Sequence, residues 1–187
     1  MRIILASKSP RRKELMNTVF DDVQVVTKDV EERCSYARPS KIVTYLATVK
    51  MADIDSLYPD ACVVSGDTIV YYDGKVYGKP HTKEVARRYL RELSGKRHGV
   101  YTGVCVSYHG ERVTFYVKST VKFKSLSDSQ IDEYIDVCNP LDKAGAYGIQ
   151  DKQVVESFSG SYSNVIGLPI ENVKEVVEAL EKKYENG

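Results

Sequence analysis

A chain of 187 residues, 42% hydrophobic and 28% charged, has the length of one domain and can bury a core without crosslinks. Its 27 lysines and arginines nearly balance 26 aspartates and glutamates, for a net charge of +1. That excludes a global electrostatic attraction to a nucleic-acid polymer or a membrane surface.

Ile3 to Ala6 reads as a short buried strand. The apolar run there is too short for a secretory signal, and no stretch approaches the roughly 20 apolar residues of a membrane span. Ser9 is a candidate N-cap and Pro10 suits the first helical position, so a helix is expected to about Phe20. Val23 to Val26 reads as a second strand, followed by the acidic loop Asp29-Val30-Glu31-Glu32. Pro39 opens a helix with Ile42, Val43, Leu46 and Val49 as its apolar stripe. Ala61 to Tyr72 reads as a long strand interrupted by Ser65-Gly66-Asp67-Thr68, and Asp73-Gly74 as a hairpin turn needing positive φ.

Thr82 caps a predicted helix to Leu93, which Ser94-Gly95 stops. Val100 to Tyr108 and Val113 to Phe123 form a strand pair around His109-Gly110. Ser127 and Gln130 make a capping-box pattern for a helix to about Cys138. A glycine- and alanine-rich loop covers Leu141 to Gln150. A strand at Val154 to Phe158 and an amphipathic helix after Pro169 complete the chain. Helices and strands alternate, with hairpins in the middle. This predicts an α/β fold on one long mixed sheet within a single domain, residues 1–187. The doubly wound dinucleotide fold is disfavoured, since no G-x-G-x-x-G follows the first strand. Cys34, Cys62, Cys105 and Cys138 contain no C-x-x-C pair. Reduced thiols in a reducing, cytoplasmic compartment are therefore expected.

Six features carry chemistry. Ser7-Lys8-Ser9-Pro10-Arg11-Arg12 gathers a hydroxyl, a helix N-terminus and two arginines. It is either a solvated basic turn or an anion site, and a bound anion would relieve the conflict between cations and the helix dipole. Lys50 falls on the apolar stripe of its helix: a snorkelling stem, or an amine aimed into a cleft. Asp67 lies inside an apolar strand, where a buried carboxylate needs a partner or a metal unless the strand bulges outward. Glu31 and Glu32 are surface charges or further ligands for a hard cation. Gly78-Lys79-Pro80 is a turn or a second phosphate lysine. Ala144 to Gln150 is a packed connection, or a loop whose small residues admit a ligand while Gln150 reads a base. His81, His98 and His109 lie beside turns and are expected on the surface.

Together these residues resemble the Maf family of nucleotide pyrophosphatases. The similarity runs through Leu5 to Leu15, Gly66-Asp67-Thr68-Ile69-Val70, Gly78-Lys79-Pro80, Leu93-Ser94-Gly95 and Thr102-Gly103-Val104. It continues in Asp142 to Gln150, which is similar to the loop of the branch acting on dTTP and UTP, and in Gly160-Ser161-Tyr162 with Asn164 to Pro169. The resemblance implies a two-lobed α/β fold like that of inosine-triphosphate pyrophosphatases, with the site in the cleft. It implies hydrolysis between the α- and β-phosphates with a divalent cation, Mg2+ or Mn2+. Asp67 would be the general base or orient the water through the metal, with Glu31, rather than Glu32, at the metal. Ser7, Arg12, Lys50 and Lys79 would grip the triphosphate, and Arg11, Thr68 and Gln150 would select the base. A homodimer is implied as well.

Three segments depart from the family pattern: Ser65-Gly66 replaces Gly-Ala, Thr48-Val49-Lys50-Met51 differs from the usual helix sequence around the lysine, and Asp151 replaces glycine and puts a negative charge beside the base loop. Two rival expectations remain. One is a preference for 7-methyl-GTP, as in a sibling branch. The other is a nucleotide-binding regulator of cell division, because the family is linked to septum formation.

Overall fold

The apolar runs at residues 3–6, 61–64 and 104–106 do not alternate with polar residues because both faces of their strands are covered. In the computed structural model, which describes residues 1–185, these runs lie in strands β1 (Arg2–Leu5), β3 (Ala61–Tyr72) and β5 (Arg97–Tyr108). With β2 (Gln24–Val25), β6 (Glu111–Phe123) and β7 (Val155–Ser159) they form a sheet in the order β2-β1-β3-β5-β6-β7. Strand β4 (Lys75–Tyr77) returns on β3 as a hairpin. Strands β2, β1 and β3 are parallel neighbours, and the remaining pairings are antiparallel. The mixed α/β expectation holds.

Helices α1 (Pro10–Asn17) and α7 (Ile170–Glu185) cover one face of the first lobe. Leu5, Met16, Val64, Val104, Val177 and Leu180 meet there. Helix α2 (Pro39–Met51) covers the opposite face, where Ile4, Ala47, Met51, Val63 and Cys105 pack. Alternate residues of one strand thus serve two cores. Each fully buried Leu, Val or Met contributes roughly 1.5–3 kcal/mol. In the second lobe, α4 (Lys83–Leu93) and α5 (Asp128–Cys138) close over the far end of the sheet. Leu90, Leu93, Phe123, Ile131 and Tyr147 fill that core.

Local signals set many boundaries. Ser9 caps α1, Thr82 caps α4, and Ser127 with Gln130 forms a complete capping box on α5. Asp73 and Gly74 both have positive φ, at 46° and 77°. The four cysteines are free, and no described helix is long and apolar enough to cross a membrane.

Several expectations need correction. Helix α1 ends at Asn17, well before Phe20. A short helix α3 (Ile54–Leu57) follows α2, and another, α6 (Tyr162–Ile166), precedes α7. Strand β3 is not interrupted: Ser65 to Thr68 stay in register with Cys105 to Thr102 of β5. The polar side chains there are internal and partnered, so the ladder has no reason to break. His98 is not a surface residue. It is 3% exposed, because it belongs to β5 and not to a turn.

Candidate active site

Strand β3 belongs to both lobes, and its midpoint carries Asp67 and Thr68. Asp67 is only 8% exposed, so its carboxylate must be compensated. Lys50 supplies the charge from the last turn of α2 and ion-pairs with Asp67 Oδ1. The same amine lies 3.2 Å from Glu32 Oε2. Lys50 is partly buried and its ammonium group enters the cleft, as the second of its sequence readings describes.

Close helix–sheet packing makes this meeting possible. Gly103 of β5 faces α2, and a Cβ there would lie 2.2 Å from the Val43 backbone. Ser65 Oγ donates to Ala47 O at 2.7 Å, tying β3 to the helix that carries Lys50. This bond gives the Ser65 departure a structural role.

In the Ser7–Arg12 cluster, Ser7 and Arg12 are internal, whereas Lys8 and Pro10 are exposed. Arg12 is 9% exposed and Ser7 is 7% exposed. Arg12 Nε donates to Gly167 O at 2.7 Å, one terminal nitrogen to Ser7 Oγ at 3.2 Å and the other to Thr68 Oγ1 at 3.0 Å. Burial lowers the Arg12 pKa, and the charge of Asp67 opposes that shift. Thr68 also lies 2.9 Å from Thr102 Oγ1, whose proton goes to Asn164 O. The guanidinium is therefore fixed before any ligand arrives.

Arg11 crosses the cleft mouth. One of its terminal nitrogens is 2.8 Å from Asp142 Oδ2, and the other donates to Asp142 O at 3.2 Å. Lys79 lines the same cleft from the segment after β4. That segment is held by Gly145 N–H donating to Gly78 O at 3.1 Å. Opposite the charged floor, Tyr147, Gly148, Ile149 and Gln150 form a less polar wall with Val165 and Ile166.

The cleft thus gathers Ser7, Arg11, Arg12, Lys50, Asp67, Thr68, Lys79 and Gln150. It does not gather Glu31, whose carboxylate pairs with Arg33 at 2.6 Å and stays largely exposed. Glu32 is the glutamate that reaches Lys50. Sequence reasoning also left Lys143 without a role, although it lines the wall beside Gln150. No local pattern distinguishes it from a surface lysine. Asp151 does not line the cleft; its carboxylate accepts from Gly148 N–H and Tyr134 O–H instead.

Asp67 and Glu32 bring two carboxylates to one ammonium group. Hard oxygen donors of this kind suit Mg2+ or Mn2+. Among the described residues, no group of three or more His, Cys, Asp or Glu side chains could hold a metal alone. A pair of carboxylates fits a cation that completes its shell with phosphate oxygens and water.

The chain is similar to several known proteins. The chain is 42% identical over 179 residues to a dTTP/UTP pyrophosphatase of Thermosipho africanus (strain TCF52B), covering 95% of this chain and 92% of that protein. It is 44% identical over 172 residues to a dTTP/UTP pyrophosphatase of Bacillus mycoides (strain KBAB4), covering 90% of each. Among solved structures, the Staphylococcus aureus Ham1 protein is similar at 16% identity and a TM-score of 0.47, over 66% of this chain and 72% of that one. The profile of the Maf-like protein family matches residues 2–180, and the chain belongs to that family.

Proposed function

We propose that the protein is a nucleoside-triphosphate pyrophosphatase that converts dTTP and UTP to the monophosphate and pyrophosphate. One observation carries the reading: a buried carboxylate, Asp67, sits at the floor of a cleft whose charged walls include Arg11, Arg12, Lys50, Lys79 and Lys143. The names of the two bacterial relatives supply the substrate pair.

The triphosphate lies along Ser7, Arg12, Lys50 and Lys79, with the base toward Gln150. Asp67 accepts a proton from the water that attacks the α-phosphorus. The bond from that phosphorus to the bridging oxygen breaks, and pyrophosphate leaves. Arg12 is already held by three protein acceptors, so it meets the developing charge without reorganising. Lys50 donates to Asp67 and Glu32 and has a third N–H for a phosphate oxygen. A divalent cation held by Asp67 and Glu32 would polarise the phosphate and lower the pKa of the water. Arg11, Thr68 and Gln150 select the base. A homodimer is part of the proposal, readable by light scattering during size exclusion.

The test is pyrophosphate release from dTTP, UTP, CTP, GTP and 7-methyl-GTP with Mg2+ or Mn2+, beside Asp67→Asn. Turnover of dTTP and UTP that Asp67→Asn abolishes is the expected result. Turnover of 7-methyl-GTP alone would overturn the substrate. Nucleotide binding without turnover would replace the enzyme with a regulator acting through a protein partner.

A further inference from the structure

The turn that carries Gln150 is gripped at both ends by one residue. Asp151 N–H donates to Gly148 O at 3.1 Å. Gly148 N–H donates to Asp151 Oδ2 at 2.8 Å. The peptide groups of Gly148 are thus fixed on both sides by Asp151, with Ile149 and Gln150 at the tip. The same carboxylate oxygen accepts from Tyr134 O–H at 2.6 Å. Tyr134 is 4% exposed and belongs to α5, in the second-lobe core. Behind the turn, Val154 and Val155 N–H donate to Asp151 O at 2.9 and 3.0 Å.

The side chain of Gln150 depends on this grip. Its amide nitrogen lies 2.8 Å from where a Cβ on Gly148 would sit, and its amide carbon lies 3.0 Å away. The glutamine therefore folds back over the Gly148 peptide that Asp151 holds. Gln150 is exposed to the cleft, whereas Asp151 contributes nothing to the cleft lining. Removing the carboxylate leaves the Gly148 amide and the Tyr134 hydroxyl without their acceptor, and groups so placed seek other partners. The turn would then sample several positions, and the amide of Gln150 would move with it.

We propose that Asp151, anchored by Tyr134, is a positioning residue that fixes where Gln150 presents its amide to the nucleotide base. The proposal rests on the reading that the cleft binds a nucleotide with its base at Gln150. It concerns the position where the family resemblance expects glycine. Asp151 acts on binding of the base and not on the phosphates, which lie across the cleft at Arg12, Lys50 and Lys79.

The experiment compares Asp151→Gly, Asp151→Asn and Tyr134→Phe with the unaltered protein. KM and kcat are measured for UTP and dTTP, with the inhibition constant of inorganic tripolyphosphate, which has no base. Asp151→Gly and Tyr134→Phe should raise KM roughly 5- to 20-fold, the range for a lost hydrogen bond, and leave kcat within about twofold. Tripolyphosphate inhibition should not change. Asp151→Asn should stay near the unaltered protein, since one carboxamide oxygen can take both bonds. Tyr134→Phe keeps the test alive if the glycine variant folds poorly, as thermal melting would reveal. An unchanged KM in both disruptive variants would overturn the proposal. So would a weakening shared equally by tripolyphosphate and not rescued by asparagine. If the unaltered protein turns over neither dTTP nor UTP, the functional reading fails separately. Calorimetric affinities for UTP and tripolyphosphate across the same variants then decide the role of Asp151.

Discussion

His98 Nε2 lies 2.8 Å from the hydroxyl of Tyr147, the aromatic wall of the cleft. Phe123 meets both rings edge-on, with centroids 4.8 Å from His98 and 4.6 Å from Tyr147. Burial holds the His98 pKa down to about 4. The folded state therefore keeps the imidazole neutral while the unfolded chain protonates it below its ordinary value near 6.5. Stability is complete above that value and is lost as pH falls from about 6.5 toward 4. We expect the protein to lose about 2 kcal/mol between pH 7 and pH 5 through this group, and His98→Gln to lose correspondingly less. Urea unfolding of both proteins at the two pH values measures the difference.

Glu32 and Glu31 should behave differently although they are neighbours. Glu32→Gln removes a carboxylate that meets Lys50 beside Asp67. Its activity should fall by roughly 10- to 100-fold, the loss typical of an altered metal shell, and more Mn2+ should be needed for half-maximal rate. Glu31→Gln touches only an exposed pair with Arg33 and should change neither quantity by more than about twofold, since exposed ion pairs are weak. A manganese titration of both variants provides the comparison.

Lys50→Met keeps the packing stem and removes the ammonium. The loss of one fixed donor to the developing charge should cost about 100- to 1000-fold in kcat. Single-turnover assays with saturating UTP separate this loss from weaker binding.

Gly103→Ala should act at a distance. Its Cβ would lie 2.2 to 2.5 Å from backbone atoms of Val43 and Thr44, so α2 must move away from the sheet. Overpacking of this kind costs about 1–3 kcal/mol, a fall in Tm of several degrees for a chain of this size. Activity should fall as well, because the displaced helix carries Lys50. Calorimetry and the pyrophosphate assay read the two effects independently.

The elements governed by short-range chemistry were legible in the sequence. Pro39 and the stripe of Ile42, Val43 and Leu46 define α2; Ser127 with Gln130 defines the start of α5; Asp73-Gly74 defines the hairpin. The expected interruption of β3 had a different cause. Its polar residues are satisfied from far along the chain: Ser65 by a partner 18 residues away, Asp67 by one 17 away and Thr68 by one 56 away. Local pattern contains none of those partners. The same holds for His98, whose partner Tyr147 is 49 residues distant. The cleft residues were legible through the family resemblance, but the choice between Glu31 and Glu32 depends on the path of an irregular segment.

Strand β3 pairs with β5 without a break from Val63 to Tyr71, so the two lobes share one spine. Rotating one against the other would shear nine consecutive residue pairs at once, with Asp67 in the middle. If the cleft binds a nucleotide as proposed, entry and exit would fall to the peripheral parts: the irregular stretch at residues 26–37, which carries Glu32, and the Arg11–Asp142 bond across the mouth. Asp67 itself lies within the unbroken ladder, apart from both of these parts.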